Sequence, residues 1–225
     1  MASFVLIPGA GGMAWYWHRV VPLLALAGHE AIAVDLPGED ALAGLDAYAD
    51  AVVRAIGARA NVVLVAQSLG GFTAPLVCAG VPVRKLVFVN AMIPQPGETA
   101  GEWWGNTGAA GARADAAERG GYSVDFDVAT YCLHDVPEAV LHGAPNPREE
   151  VGAAFEQPCR FRAWPRVPIR VLAGADDRFF PLSFQREVAR ARLDADVHAV
   201  RGGHLVALSN PDDLTASLLS FAHEI

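Results

Sequence analysis

The stretch Val62-Val63-Leu64-Val65-Ala66-Gln67-Ser68-Leu69-Gly70-Gly71 decides how this chain is read. Four consecutive aliphatic residues form a strand apolar on both faces, as strands of a buried parallel sheet are. The strand then runs without a linker into a polar residue flanked by small ones, and Leu69–Ala79 follows as a helix. A serine nucleophile held on a strained strand-to-helix turn needs this layout, because residues two positions to either side must be small for the backbone to fold back. Ala66 and Gly70 meet that demand, although the first position more often holds Gly. By itself the stretch fits equally well a serine that merely caps the helix.

Outward from this turn the pattern repeats. Phe4–Ile7, Ala31–Val34, Leu86–Val89, Ile169–Ala173 and Val197–Val200 read as further buried strands. Trp15–Ala27, Leu45–Ile56, Ser183–Arg192 and Asp212–His223 read as helices, with Gly28 at a C-terminal cap and Asn210-Pro211 opening the last. Alternating units of this kind predict an α/β fold, a doubly wound, mostly parallel sheet of about six strands. Residues 91–165 break the rhythm. They hold no buried-strand run, many Gly and Pro residues, and three of the five tryptophans. So long a segment predicts a small helical cap inserted in a core of residues 1–90 and 166–225. Ligands bind beyond the carboxyl ends of strands in such sheets, so the insertion would roof the site.

Composition narrows the function. The 225 residues carry a net charge of −8, which disfavours nucleic acid and anionic membrane as partners. No apolar run approaches the roughly 20 residues of a membrane span, and the first residues read as a strand rather than a leader peptide. Cys78, Cys132 and Cys159 have no paired spacing, so reduced thiols in a cytoplasmic protein are expected, with no metal site. A homodimer is compatible with the sequence but nothing in it specifies one.

Candidate partners for Ser68 follow in the chain order acid then base. Strand 169–173 leads into Gly174-Ala175-Asp176-Asp177, and strand 197–200 leads into Arg201-Gly202-Gly203-His204. Either Asp could orient a base, and His204 has the imidazole chemistry of one. The other six histidines lack such a setting, and for His134-Asp135 a solvated or capping role is expected. The loop Pro8-Gly9-Ala10-Gly11-Gly12 lets backbone N–H groups approach a substrate oxygen, and Ala10 and Leu69 are the expected oxyanion donors. Gly11, Trp15, Trp103, Trp104, Phe126, Tyr131 and Leu205 are candidates for lining an apolar substrate pocket, although the aromatics could equally form the insertion's own core.

The same glycine loop fits a relaxed dinucleotide fingerprint, Gly9-Ala10-Gly11-Gly12-Met13-Ala14, with Asp35 at the end of the next strand. Against an NAD-dependent reductase, no Tyr is followed four positions later by Lys, and the Ser68, Asp177 and His204 settings would go unexplained.

The chain resembles the plant methylesterase and hydroxynitrile lyase branch of the α/β-hydrolases and its bacterial relatives. The resemblance rests on residues 4–36, AQSLGG at 66–71, LVFVNAMIP at 86–94, DDRFFPLSFQREV from Asp176, and GGHLVALSNPDDLTASLL at 202–219. It implies the acid position three residues after Gly174 and four before Pro181, which is Asp177. Pro8 stands where the family usually has His. The lyases use a Thr and a Lys at positions that look like Gly9 and Leu205 here, and Leu205 cannot stabilise departing cyanide. The resemblance therefore implies hydrolysis of a small-molecule ester, with no cofactor. A lactonase, a C–C bond hydrolase and a non-catalytic ligand receptor remain alternatives on the same site.

Overall fold

A computed structural model describes residues 1–150 and 152–224. Six strands, β1 (Ser3–Ile7), β2 (Glu30–Ala33), β3 (Val62–Gln67), β4 (Lys85–Val89), β5 (Ile169–Gly174) and β6 (Val197–Val200), form one sheet in the order β2-β1-β3-β4-β5-β6. All the pairings are parallel. Among the described residues the α-helices are α1 (Val20–Leu26), α2 (Leu45–Ile56), α3 (Gly70–Gly80), α4 (Ala100–Thr107), α5 (Ala109–Gly120), α6 (Glu138–Leu141), α7 (Ala153–Glu156), α8 (Leu182–Leu193), α9 (Val206–Ser209) and α10 (Pro211–His223).

The unbroken apolar runs are explained by burial on both faces. Side chains alternate along a strand, so Val5, Ile7, Leu64, Ala66, Leu86 and Phe88 join a core under α2, α3 and α8. Phe4, Leu6, Val63, Val65, Val87 and Val89 join a second core under α1 and α10. Winding reverses at β1, which lies between β2 and β3. The carboxyl ends of β1 and β3 therefore open a crevice where Pro8-Gly9-Ala10 meets Ser68.

The expected single helix over Trp15–Ala27 is corrected. The chain makes a 3₁₀ turn at Ala14–Trp17 and starts α1 only at Val20. Pro22 accounts for the break, since its ring would clash with the His18 carbonyl of a continuous helix. The one-turn α9, directly after His204, was not anticipated either; four residues are too few to show a period. Between β4 and β5 the described residues contain only helical elements, including a π-turn at Ala129–Leu133. No helix among the described residues is long and apolar enough to cross a membrane.

The elbow is packed to backbone contact. A Cβ on Gly71 would lie 2.0 Å from the Met92 carbonyl oxygen. Gly71→Ala should therefore lower stability by about 1–3 kcal/mol through overpacking. At Gly111, inside α5, an added Cβ meets nothing within 4 Å. There, Gly→Ala should raise stability by roughly 0.5–1 kcal/mol. Thermal melts of the two variants should shift in opposite directions.

Candidate active site

Ser68 sits between β3 and α3 with φ 50°, a left-handed conformation that non-glycine residues rarely adopt. Backbone bonds over-determine it: the Ser68 N–H donates to the Val89 carbonyl, and the Ser68 carbonyl accepts from the Gly71 and Met92 N–H groups. The strain lifts Oγ out of the sheet, and the side chain is not spent on capping α3. The loop after β1 comes so close that a Cβ on Gly9 would lie 2.5 Å from Gln67 Oε1 and 2.8 Å from Ser68 Cβ. Only glycine fits there.

The ends of β3, β5 and β6 bring three distant side chains into line. Ser68 Oγ is 3.2 Å from His204 Nε2, and His204 Nδ1 is 3.0 Å from Asp177 Oδ2. His204 is 3% exposed and Asp177 4%. An ionised carboxylate can only accept, so Nδ1 carries the imidazole proton and Nε2 presents its lone pair to Ser68. Asp177 is held by further donors: Phe179 and Phe180 N–H at Oδ1 (2.8 and 2.9 Å), and Gln185 Nε2 at Oδ2 (3.2 Å). Asp176 is exposed, and its N–H turns to the Gly202 carbonyl.

Two polar residues that the sequence did not single out for chemistry hold the His204 loop. Asn90, also at positive φ, donates through Nδ2 to the Gly203 and His204 carbonyls at 3.0 and 2.9 Å. Its Oδ1 accepts the Gly174 N–H at 2.7 Å, tying β4, β5 and the loop together. Asp135, from the segment between β4 and β5, accepts the Gly203 N–H at 2.5 Å. Of the pair His134-Asp135, for which a solvated or capping role is expected, Asp135 spends its carboxylate on the backbone of the residue preceding His204. Asn90 lay within a stretch that carried the resemblance, whereas nothing local marked Asp135.

Among the described residues, the Ala10 and Leu69 N–H groups make no hydrogen bond. That leaves them available to an incoming oxygen. The Gly11 N–H donates to Glu150 Oε2 at 2.7 Å, and Glu150 also bonds the Tyr48 hydroxyl. The aromatic candidates divide. Trp103 is fully buried, its Nε1 donating to the Ile93 carbonyl. Trp104 packs on Phe179 and Phe180, and the half-exposed Phe126 packs on Tyr131 and Phe179. Trp15 stacks on His18, and Leu205 packs into the core under α1 and α10. The rings that touch the imidazole are Phe179 and Phe180, edge-on at 4.9 and 5.2 Å. Sequence reading missed both, since they were legible only as part of the Asp177 turn.

The cysteines do not compete as nucleophiles. All three are free, and burial pushes each thiol up to about 12, far from thiolate at neutral pH.

Residues 4–218 match the sequence model of the alpha/beta hydrolase family. A probable esterase of Oryza sativa, PIR7A, is 36% identical over 110 residues, 44% of this chain and 42% of that protein. Methyl jasmonate esterase 1 of Vitis vinifera is 33% identical over 105 residues, 41% and 40% of the two chains. The alignments thus span about two fifths of the length of these relatives. The fold is similar to that of polyneuridine aldehyde esterase, with a TM-score of 0.80 at 20% identity over 99% of both chains. It is also similar to a pyrethroid hydrolase from Sphingobium faniae, with a TM-score of 0.77 at 21% identity over 98% of this chain and 97% of that one.

Proposed function

This chain belongs to the alpha/beta hydrolase family, and from that premise we propose that it hydrolyses a small carboxylic ester through an acyl-Ser68 intermediate. The observation that carries the reading is the continuous line Ser68 Oγ, His204 Nε2, His204 Nδ1, Asp177 Oδ2. His204 takes the Ser68 proton as Oγ attacks the ester carbonyl, and the alkoxy group leaves with that proton. Water, activated by the same imidazole, then attacks the acyl carbon and frees the acid and Ser68. The N–H groups of Ala10 and Leu69 hold the oxyanion of both tetrahedral intermediates. Asp177 keeps the tautomer and balances the imidazolium charge. No step calls for a metal or organic cofactor.

Residues 91–165 act as the cap that limits which esters reach Ser68. Leu205, beside His204, favours ester hydrolysis over cyanohydrin cleavage, which needs a cation there. The three unpaired thiols suit a reducing, cytoplasmic setting.

Short-chain p-nitrophenyl and methyl esters, offered to the wild type and to Ser68→Ala, test the reading. Hydrolysis should fall by about 10³-fold or more in the variant. A fluorophosphonate probe should label the wild type and leave Ser68→Ala unlabelled. No hydrolysis above the variant on any ester would overturn the proposal, and labelling that survives Ser68→Ala would place the nucleophile elsewhere.

A further inference from the structure

Arg113, on α5, is set apart from the other arginines. Among the described residues it makes no hydrogen bond and no ion pair, yet it is partly buried, and its Nε atom is wholly buried without an acceptor. The other arginines without a partner, such as Arg54, Arg119 and Arg186, are exposed. Its guanidinium lies among four rings, 5.3 Å from the centroids of Phe126 and Tyr131, 5.7 Å from Phe179 and 5.8 Å from Trp104. Ring faces attract the charge but offer no lone pairs in the plane of the fork, so the buried Nε–H goes unanswered. Phe179 bridges this cation to the active site, because the same ring stands 4.9 Å from the His204 imidazole.

We propose that Arg113 anchors a carboxylate carried by the substrate, so that the preferred esters are half-esters of short dicarboxylic acids. This inference rests on the ester-hydrolase reading and assigns the substrate class of that site. A planar guanidinium fork matches a carboxylate through two parallel hydrogen bonds. The rings packed around this partly buried guanidinium strengthen such a pair beyond what a fully exposed arginine achieves. A localised cation is also what a chain of net charge −8 needs to admit an anionic substrate. Arg178, the next cation along, is already engaged, donating to the Thr130 carbonyl and lying over the Tyr122 ring.

The test is calorimetric binding of monomethyl glutarate and dimethyl glutarate to the Ser68→Ala protein, which cannot turn them over. The half-ester should bind at least about ten-fold more tightly than the diester, equivalent to roughly 1.4 kcal/mol. Adding Arg113→Met should abolish that preference, and Arg113→Lys should restore part of it. Added salt should weaken half-ester binding and leave the diester unaffected, a readout that needs no substitution at Arg113. Equal binding of the two esters, or a preference that survives Arg113→Met, overturns the proposal. If the fluorophosphonate probe labels Ser68 while binding ignores Arg113, only the carboxylate anchor fails. If binding follows Arg113 but Ser68 stays unlabelled, the hydrolase reading fails and the anchor stands.

Discussion

Asp177→Asn is expected to lower kcat on a small ester by about 10⁴-fold while the protein stays folded. The side chain keeps its shape, and the remaining oxygen can still accept the Phe179 and Phe180 N–H groups. What changes is the partner of His204 Nδ1. An amide nitrogen turned towards the imidazole donates, so the proton moves to Nε2, where it faces Ser68 Oγ and blocks proton abstraction. The imidazolium also loses its balancing charge. Asp176→Asn, in the exposed neighbouring position, should leave the rate within about two-fold, as surface substitutions generally do. Steady-state kinetics of the two variants, with circular dichroism to confirm folding, checks the assignment. Comparable losses from both, or an active Asp177→Asn, would show that Asp177 does not orient His204.

The largest stability effect is expected at Glu98 and Arg192. Arg192 Nη1 and Nη2 lie 2.5 and 2.9 Å from the two Glu98 oxygens, and the side chains are only 5% and 4% exposed. Asn106 and the Gln95 N–H donate to the same carboxylate, and Arg192 also donates to the Ile93 carbonyl. The pair thus pins the stretch that follows β4 to α8. Arg192→Met would strand a buried carboxylate and should cost about 3–5 kcal/mol. That corresponds to a Tm loss of roughly 10 °C for a domain of this size. Replacing both residues with apolar ones of similar volume should recover much of the loss.

Burial pushes the Glu98 carboxyl up, but the hydrogen bonds from Arg192, Asn106 and Gln95, together with the Arg192 charge, outweigh it and leave the group below its ordinary 4.5. A depressed carboxyl stabilises the fold fully above that ordinary value. The contribution is lost as pH falls from 4.5 through the lower folded value. The Tm gap between the wild type and Arg192→Met should therefore be widest near neutrality and narrow below pH 4.5. A gap that widens in acid would contradict the pairing.

How much of this was legible in the sequence differs from residue to residue. Ser68 stood out because a strand running straight into a helix through small residues is a local pattern, and local patterns survive translation into three dimensions. Asp177 and His204 could be placed at strand ends, but Asp176 and Asp177 were equivalent until the resemblance favoured one and the fold buried it. Asn90, Asp135, Phe179 and Phe180 were assigned no role at the site. Their roles consist of contacts with the Gly174 N–H, the Gly203 N–H and the His204 ring, and no spacing in the chain encodes those. Arg113 was hidden for the same reason. It sits in an alanine-rich helix with no local chemical pattern, and only the packing of α5 against rings from three other segments gives it a setting.

The sequence by itself determined the parallel sheet, the turn that carries Ser68 and the order of its partners, because periodicity, small residues and strand ends act over a few neighbours. Which acid meets His204, what holds the imidazole loop and which cation is gathered among aromatic rings beside it were decided by the tertiary structure. Those choices depend on distances between segments as many as 114 residues apart, set by how the helices pack on the two faces of the sheet.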